Sequence, residues 1–329
     1  MDLILNTYGT TLIKKDNQFL VIHNDGNQLV HPEKVKSIHI CKGAKISSDA
    51  VILAIENGID VLFVDRKGNP HGRIWSVQFG SVTTIRRKQI DFTLSKQAIP
   101  WIKDLLIKKI ENQIALLLTF VSDDIEKSKN IENAINKMQD YMKKINSAKG
   151  DTVSDLAPSF RGWEGLSSKL YYSVISDFVP EDFKFNGRTQ HPAKDVFNAI
   201  LNYGYGFLYG KIESALIKAG IDPYVGVLHR ENYNRPVLVF DLIEKYRVWV
   251  DYVVINIINQ RVITEECYSV KPDGSYWLEA LGKRILLQSL NDYMDEVVNI
   301  NGIDRSRANH ITIDAQKLAT FFLNFKADK

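Results

Sequence analysis

The sequence predicts an α+β protein of two domains: a small N-terminal β-sandwich-like domain (residues 1–76) and a larger all-α-helical C-terminal domain (86–329). A linker at 77–85 joins them. Three observations predict this. The chain has 329 residues, about twice the ~150 typical of one domain. Up to residue 76, apolar residues fall in short runs separated by turn signals. Beyond residue 86 they recur at three- and four-residue spacing over long stretches.

In the N-terminal part, Thr11-Leu12-Ile13 and Phe19-Leu20-Val21-Ile22 are β-rich runs flanking the polar turn Lys15-Asp16-Asn17. Asn24-Asp25-Gly26-Asn27 is a hairpin signal, because glycine tolerates the positive φ of such turns. Residues 35–40 (VKSIHI) alternate apolar and polar. A short helix follows over 50–56, capped by Ser47 or Ser48 and ended by Gly58. Residues 59–64 read as a buried strand, residues 66–70 as a turn, and residues 72–75 close the set. In the C-terminal part, Pro100 sits in the first turn of a helix carrying Trp101, Leu105, Leu106, Ile110, Ile114 and Leu118 on one stripe. Further helices are expected over 126–148 (Lys-rich), 162–178, 192–219, 236–260, 277–298 and 313–324.

Composition narrows the function classes. There are 42 basic and 39 acidic residues, a formal net charge of only +3. Any binding to a polyanion must therefore come from local patches. The two cysteines, Cys41 and Cys267, form no CxxC pair, which argues against a thiolate zinc site and fits a reducing cytoplasm. No signal peptide is read at the N-terminus, and no apolar stretch approaches the ~18 residues of a membrane span.

Three patterns carry candidate chemistry. Glu164 lies in Arg161-Gly162-Trp163-Glu164-Gly165, where small neighbours let a backbone or phosphate approach. Its structural alternative is an acid complementing the dipole at a helix start. His229 ends Gly226-Val227-Leu228-His229; a lone histidine is more often a hydrogen-bonded structural residue than a ligand. Asp241 and Glu244 stand three residues apart on one expected helix, in apolar surroundings. Arg247, one turn on, offers a salt-bridge explanation of that pair. Together, two carboxylates and an imidazole suit Mg²⁺ or Mn²⁺, with zinc still open by ligand type. Such an ion serves phosphodiester cleavage and transfer. Arg86-Arg87-Lys88, Lys108, Lys109, Arg161, Arg188, Arg230, Arg235 and Arg247 supply positive charge, though many of the lysines read as solvated helix faces.

On these residues the chain resembles the CRISPR-associated integrase, Cas protein one. Arg161 to Gly165 followed by Tyr171-Tyr172 looks like that family's glutamate motif. Asn186-Gly187-Arg188, Asp195, Asn198-Ala199-Ile200-Leu201 and Tyr203-Gly204-Tyr205 look like its central helix. Gly226 to His229 and Leu238 to Arg247 look like its histidine and acidic motifs. Ser167-Ser168, Ala193 and Val248 depart from the expected pattern without touching a candidate ligand.

The resemblance implies Glu164, His229 and Glu244 as ligands of Mg²⁺ or Mn²⁺, with Asp241 as a supporting acid. It implies a homodimer paired through the N-terminal domains, and a small partner, Cas protein two, bridging two dimers. It also implies double-stranded DNA as substrate: the 3′-hydroxyl of a spacer precursor attacks the CRISPR repeat, and Arg86, Arg87, Arg161, Arg188 and Arg247 are candidate DNA contacts. A metal-dependent nuclease for branched DNA shares every one of these residues. A non-catalytic DNA-binding assembly subunit would use the acids in salt bridges instead.

Overall fold

In the computed structural model, residues 1–23, 26–65, 70–74, 81–120, 122–229 and 235–327 are described. Asn24 and Asp25 of the hairpin signal, the turn at 66–69, Trp75, residues 77–80 of the expected linker and Arg230 lie outside them. The contacts divide the chain into two compact units, Met1–Val82 and Thr83–Lys329.

The N-terminal unit holds two four-stranded sheets. One orders β1 (Asp2–Leu5), β5 (Ser37–Cys41), β7 (Asp60–Val64) and β8 (Pro70–Arg73); the other orders β4 (Gly26–Val30), β3 (Gln18–His23), β2 (Thr11–Lys15) and β6 (Lys45–Ile46). The β2–β3 hairpin turns at Asp16 and Asn17, both at positive φ (48° and 57°), as the twist of a two-residue hairpin requires. Helix α1 (Ser48–Glu56) is capped by the Ser47 hydroxyl, which accepts from Ala50 N at 3.2 Å, and Gly58 follows it at φ 65°. Leu5, Leu12, Phe19, Ile38 and Val61, drawn from both sheets, are buried in one cluster with Ala50 and Leu53. β1, β5 and β7 run parallel, so α1 sits on a crossover rather than in a run of hairpins.

The second unit is built from helices: α2 (Ser81–Leu94, whose first two residues fall in the first unit), α3 (Ala98–Leu117), α4 (Ile125–Ser147), α5 (Val153–Asp177), α6 (Val196–Lys218), α7 (Val237–Ile243), α8 (Arg247–Asn259), α9 (Ala280–Asp295) and α10 (Arg307–Asn324). It is not all-helical. β9 (Tyr268–Val270) pairs with β10 (Tyr276–Leu278), and β11 (Val297–Ile300) with β12 (Ile303–Ser306). Helix α3 packs on α4, α5 and α8, while α6 runs through the core against α7, α8, α9 and α10.

Further expectations about this unit are corrected. The linker region turns helical at Ser81. The third expected helix begins at Val153, where Thr152 and Asp155 form a reciprocal capping box. The stretch 236–260 is two helices, broken over 244–246. Trp277 is in strand β10 and not in a helix.

Candidate active site

Helix α5 carries Glu164 at mid-length, not at a helix start, so the dipole explanation of this acid does not apply. Helix α7 ends with Glu244 as its C-cap, and α3 brings Lys109 from the opposite side. The three side chains meet. Lys109 Nζ bonds Glu164 Oε1 in a short contact and lies 2.5 Å from Glu244 Oε2. Glu164 Oε1 also accepts from the Ser168 hydroxyl, one turn along α5, at 3.0 Å. Glu244 Oε1 accepts from Arg247 Nε at 2.9 Å. Glu244 Oε2 is buried and receives no aligned hydrogen bond, so its contact with Lys109 is ionic.

The break between α7 and α8 makes this possible. Helix continuity is lost at Glu244, and the carbonyl of Lys245 is taken up by Asn112 Nδ2 at 2.9 Å. Glu244 thereby faces Lys109 while Lys245 and the Tyr246 hydroxyl turn to Asp314.

Asp241 faces elsewhere. Its side chain is fully buried and accepts three backbone N–H groups: Val227 at 2.7 Å, Leu228 at 3.2 Å and His229 at 3.2 Å. It also bonds His229 Nδ1 at 2.8 Å. A carboxylate on Nδ1 fixes the ring and directs Nε2 outward. No hydrogen-bond partner of Nε2 occurs among the described residues. Gly226 is required here, since an added Cβ would lie 2.9 Å from the His229 carbonyl oxygen and 2.9 Å from Val237 Cγ2. The Asp241–Glu244 spacing therefore joins two different contact sets, not a repelling pair.

The charges reinforce the geometry. Burial pushes the Glu244 carboxyl up, but Arg247 and Lys109 outweigh it and hold it down at about 2. Burial pushes Lys109 down, but Glu244 and Glu164 outweigh it and raise the ammonium. Burial also opposes protonation of His229; the Asp241 bond and charge, with a contribution from Glu244, win and raise it, while Arg161 pulls the other way. His229 thus senses Glu244 and Arg161, and the three patterns share one electrostatic neighbourhood. As the side chains stand, no group of three His, Cys, Asp or Glu is arranged to hold a metal among the described residues; Lys109 fills the space between the two carboxylates.

A family model for CRISPR associated protein Cas1 matches residues 3–292. The chain belongs to the Cas1 family. One Cas1 relative, CRISPR-associated endonuclease Cas1 1 of Archaeoglobus fulgidus, is 30% identical over 335 residues, 98% of this chain and 96% of the relative. A solved casposase bound to integration product matches with a TM-score of 0.70 at 19% identity, over 100% of this chain and 97% of that one. A chain of a partial Cas6-RT-Cas1–Cas2 complex matches with a TM-score of 0.74 at 22% identity, over 100% of this chain and 97% of that one. At these identities the two solved structures show the shared fold.

Within this Cas1 chain the expected arginines divide. Arg161 and Arg87 are exposed. Arg188 bonds Asn198 and, at 2.7 Å, Asn202, and lies 5.5 Å from the ring centres of Tyr172 and Tyr205. Arg247 is engaged by Glu244 and by the Tyr205 ring, 4.5 Å away. Arg86 is half-buried in α2. Behind Arg247, Tyr205 and Tyr171 donate to the buried Asp251 at 2.5 and 2.8 Å, and Tyr172 bonds Tyr205 at 2.5 Å. Sequence reasoning missed this cluster and the inward role of Lys109. A signal existed for Lys109: it lies on the buried stripe of Ile102, Leu105, Leu106, Gln113 and Leu116.

Proposed function

We propose that this chain is the integrase of CRISPR adaptation, with a divalent-metal-dependent site in the helical unit at Glu164, His229 and Glu244. The observation that carries the reading is the convergence of Glu164 and Glu244, from two separate helices, on one buried positive charge, with His229, oriented by Asp241, feeling the charge of Glu244. The donor set fits the group: two carboxylates, one of them with a buried oxygen lacking an aligned hydrogen bond, and an imidazole with Nε2 directed outward. Mg²⁺ or Mn²⁺ bound there supplies Lewis acidity at the scissile phosphate and lowers the pKa of an attacking hydroxyl.

The chain's own residues do the rest. Arg247 and Lys109 keep Glu244 ionised near neutrality, so Glu244 has no proton to lose before use. Asp241 positions His229 and is saturated by its own four hydrogen bonds, which suits a supporting acid and not a ligand. Arg161, one turn before Glu164 on α5, and Arg87 on α2 are the exposed candidates for backbone phosphate contacts. Arg188 and Arg247 are instead engaged within the protein, Arg188 by Asn198 and Asn202 and Arg247 by Glu244.

In the reaction, the 3′-hydroxyl of spacer DNA forms a new phosphodiester bond with the repeat and a 3′-hydroxyl is released on the target strand. Bond number is conserved, so no nucleotide hydrolysis is needed. Substrate is double-stranded DNA, in line with the similar fold of the casposase bound to integration product. Cas2 as a partner is supported by the family match and by the similar chain of the Cas6-RT-Cas1–Cas2 complex; a homodimer paired through the N-terminal unit, with Cas2 bridging two dimers, is the assembly we propose.

The test is a joining assay. The full chain is incubated with a 3′-hydroxyl duplex and a supercoiled plasmid carrying a repeat array, with Mn²⁺ or EDTA, and with or without Cas2. Covalent joining that needs Mn²⁺ supports integration. Metal-dependent cleavage without joining in every arm supports the branched-DNA nuclease instead, and DNA binding without either reaction supports an assembly subunit.

A further inference from the structure

Lys109 is nearly inaccessible, with only 5% of its side chain exposed. A lysine in the middle of a helix normally extends its charge to water. Here the ammonium is turned inward, between an acid from α5 and an acid at the end of α7. Ser168 also bonds Glu164, and Arg247 also bonds Glu244. Of the two acids Arg247 pairs with Glu244, so among the described residues Lys109 is the group that neutralises both carboxylates together.

We propose, building on the metal-dependent reading above, that Lys109 is a built-in counter-ion of the Glu164–Glu244 pair, holding the site assembled without metal and yielding its place when a divalent cation enters. Two facts favour displacement over coexistence. Nζ lies in contact with an oxygen of each carboxylate, so a cation held by both acids would meet the ammonium there. The unbranched four-carbon stem lets the ammonium withdraw without movement of α3, and a lysine is a point charge with no rigid fork to unseat.

Competition of this kind has two readable consequences. The metal-free protein is stabilised by the lysine, because without it Glu164 and the buried Glu244 face each other with only Arg247, paired to Glu244, to offset their charge. Metal affinity is weakened by the fraction of time the lysine is withdrawn; withdrawal about a tenth of the time weakens it about tenfold.

The experiment measures Mn²⁺ binding by calorimetry on the DNA-free full chain, with melting temperature recorded with and without Mn²⁺. The variants are K109M, K109Q and E244Q. Lysine removal is expected to tighten Mn²⁺ binding about tenfold, lower the metal-free melting temperature, and enlarge the rise produced by Mn²⁺. A K109M chain that folds only in the presence of Mn²⁺ is the same outcome in stronger form. Unchanged or weaker binding in the lysine variants overturns the proposal, as does failure of both to fold even with Mn²⁺. E244Q separates the two levels: if it binds Mn²⁺ as well as the wild type, the metal reading itself fails, whatever the lysine variants do.

Discussion

Replacing Asp241 by alanine is expected to damage the His229 loop more than any other single truncation near the site. The buried carboxylate satisfies the backbone N–H groups of Val227, Leu228 and His229 as well as the imidazole. Alanine removes this acceptor from three backbone donors, two of them at buried bonds. Each such loss costs about 1–3 kcal/mol, and partial access of water to the loop makes the sum smaller than three times that. A total of about 3–5 kcal/mol is expected, comparable to breaking a buried charged network and a large fraction of the ~5–15 kcal/mol that holds a domain folded. Hydrogen exchange by mass spectrometry on the peptide covering 226–229 localises the effect, and denaturant unfolding followed by circular dichroism measures its size. The expected result is loss of amide protection at 227–229 together with a lower unfolding midpoint. Wild-type protection in that peptide, or a change below about 1 kcal/mol, refutes the role given to Asp241.

Other outcomes are expected from the neighbouring contacts. Burial pushes the Asp251 carboxyl up to about 6 despite hydrogen bonds from Tyr205 and Tyr171. Between about pH 4 and 6 the folded state then holds a proton that the unfolded state has lost, so stability falls as pH rises through that window, by at most about 3 kcal/mol. Melting curves across about pH 4–7 should show this slope in the wild type and lose it in Asp251→Asn; equal slopes contradict it. Glu244 has the opposite sign: held down at about 2, it contributes stability above pH ~4.5 that is lost as pH falls towards 2. Glu244→Gln should flatten that acid limb in the same melting series. Gly226→Ala places a methyl against the His229 carbonyl oxygen and Val237, at a cost of about 1–3 kcal/mol; an unfolding midpoint equal to wild type would show that the loop has room.

The parts of the fold that were legible in the sequence are those where local chemistry decides. The Asp16-Asn17 turn, the Ser47 cap and the apolar stripe of α3 each act through neighbours a few residues away. The break between α7 and α8 was not legible, because no glycine or proline marks residues 244–246. It is held by distant partners: Lys109, Asn112 and Asp314. The start of α5 was obscured by Pro158 and two glycines, although Thr152 and Asp155 do signal it. The ribbon strands β9 and β10 are three residues each, too short for a period to register. In the site, Glu164, His229 and Glu244 stood out by residue type and motif order. Lys109 did not, since a lysine beside Lys108 reads as solvated until α3 is seen to bury that face.

The central claim is that Glu164, His229 and Glu244 form one site that joins DNA strands. Its most direct test is the joining assay performed with Glu244→Gln, which keeps the shape of the side chain and removes its charge. Joining is expected to fall by at least about a hundredfold, the cost of losing a transition-state interaction worth about 3 kcal/mol, while DNA binding at the same salt concentration is retained. Wild-type joining by Glu244→Gln would contradict the account.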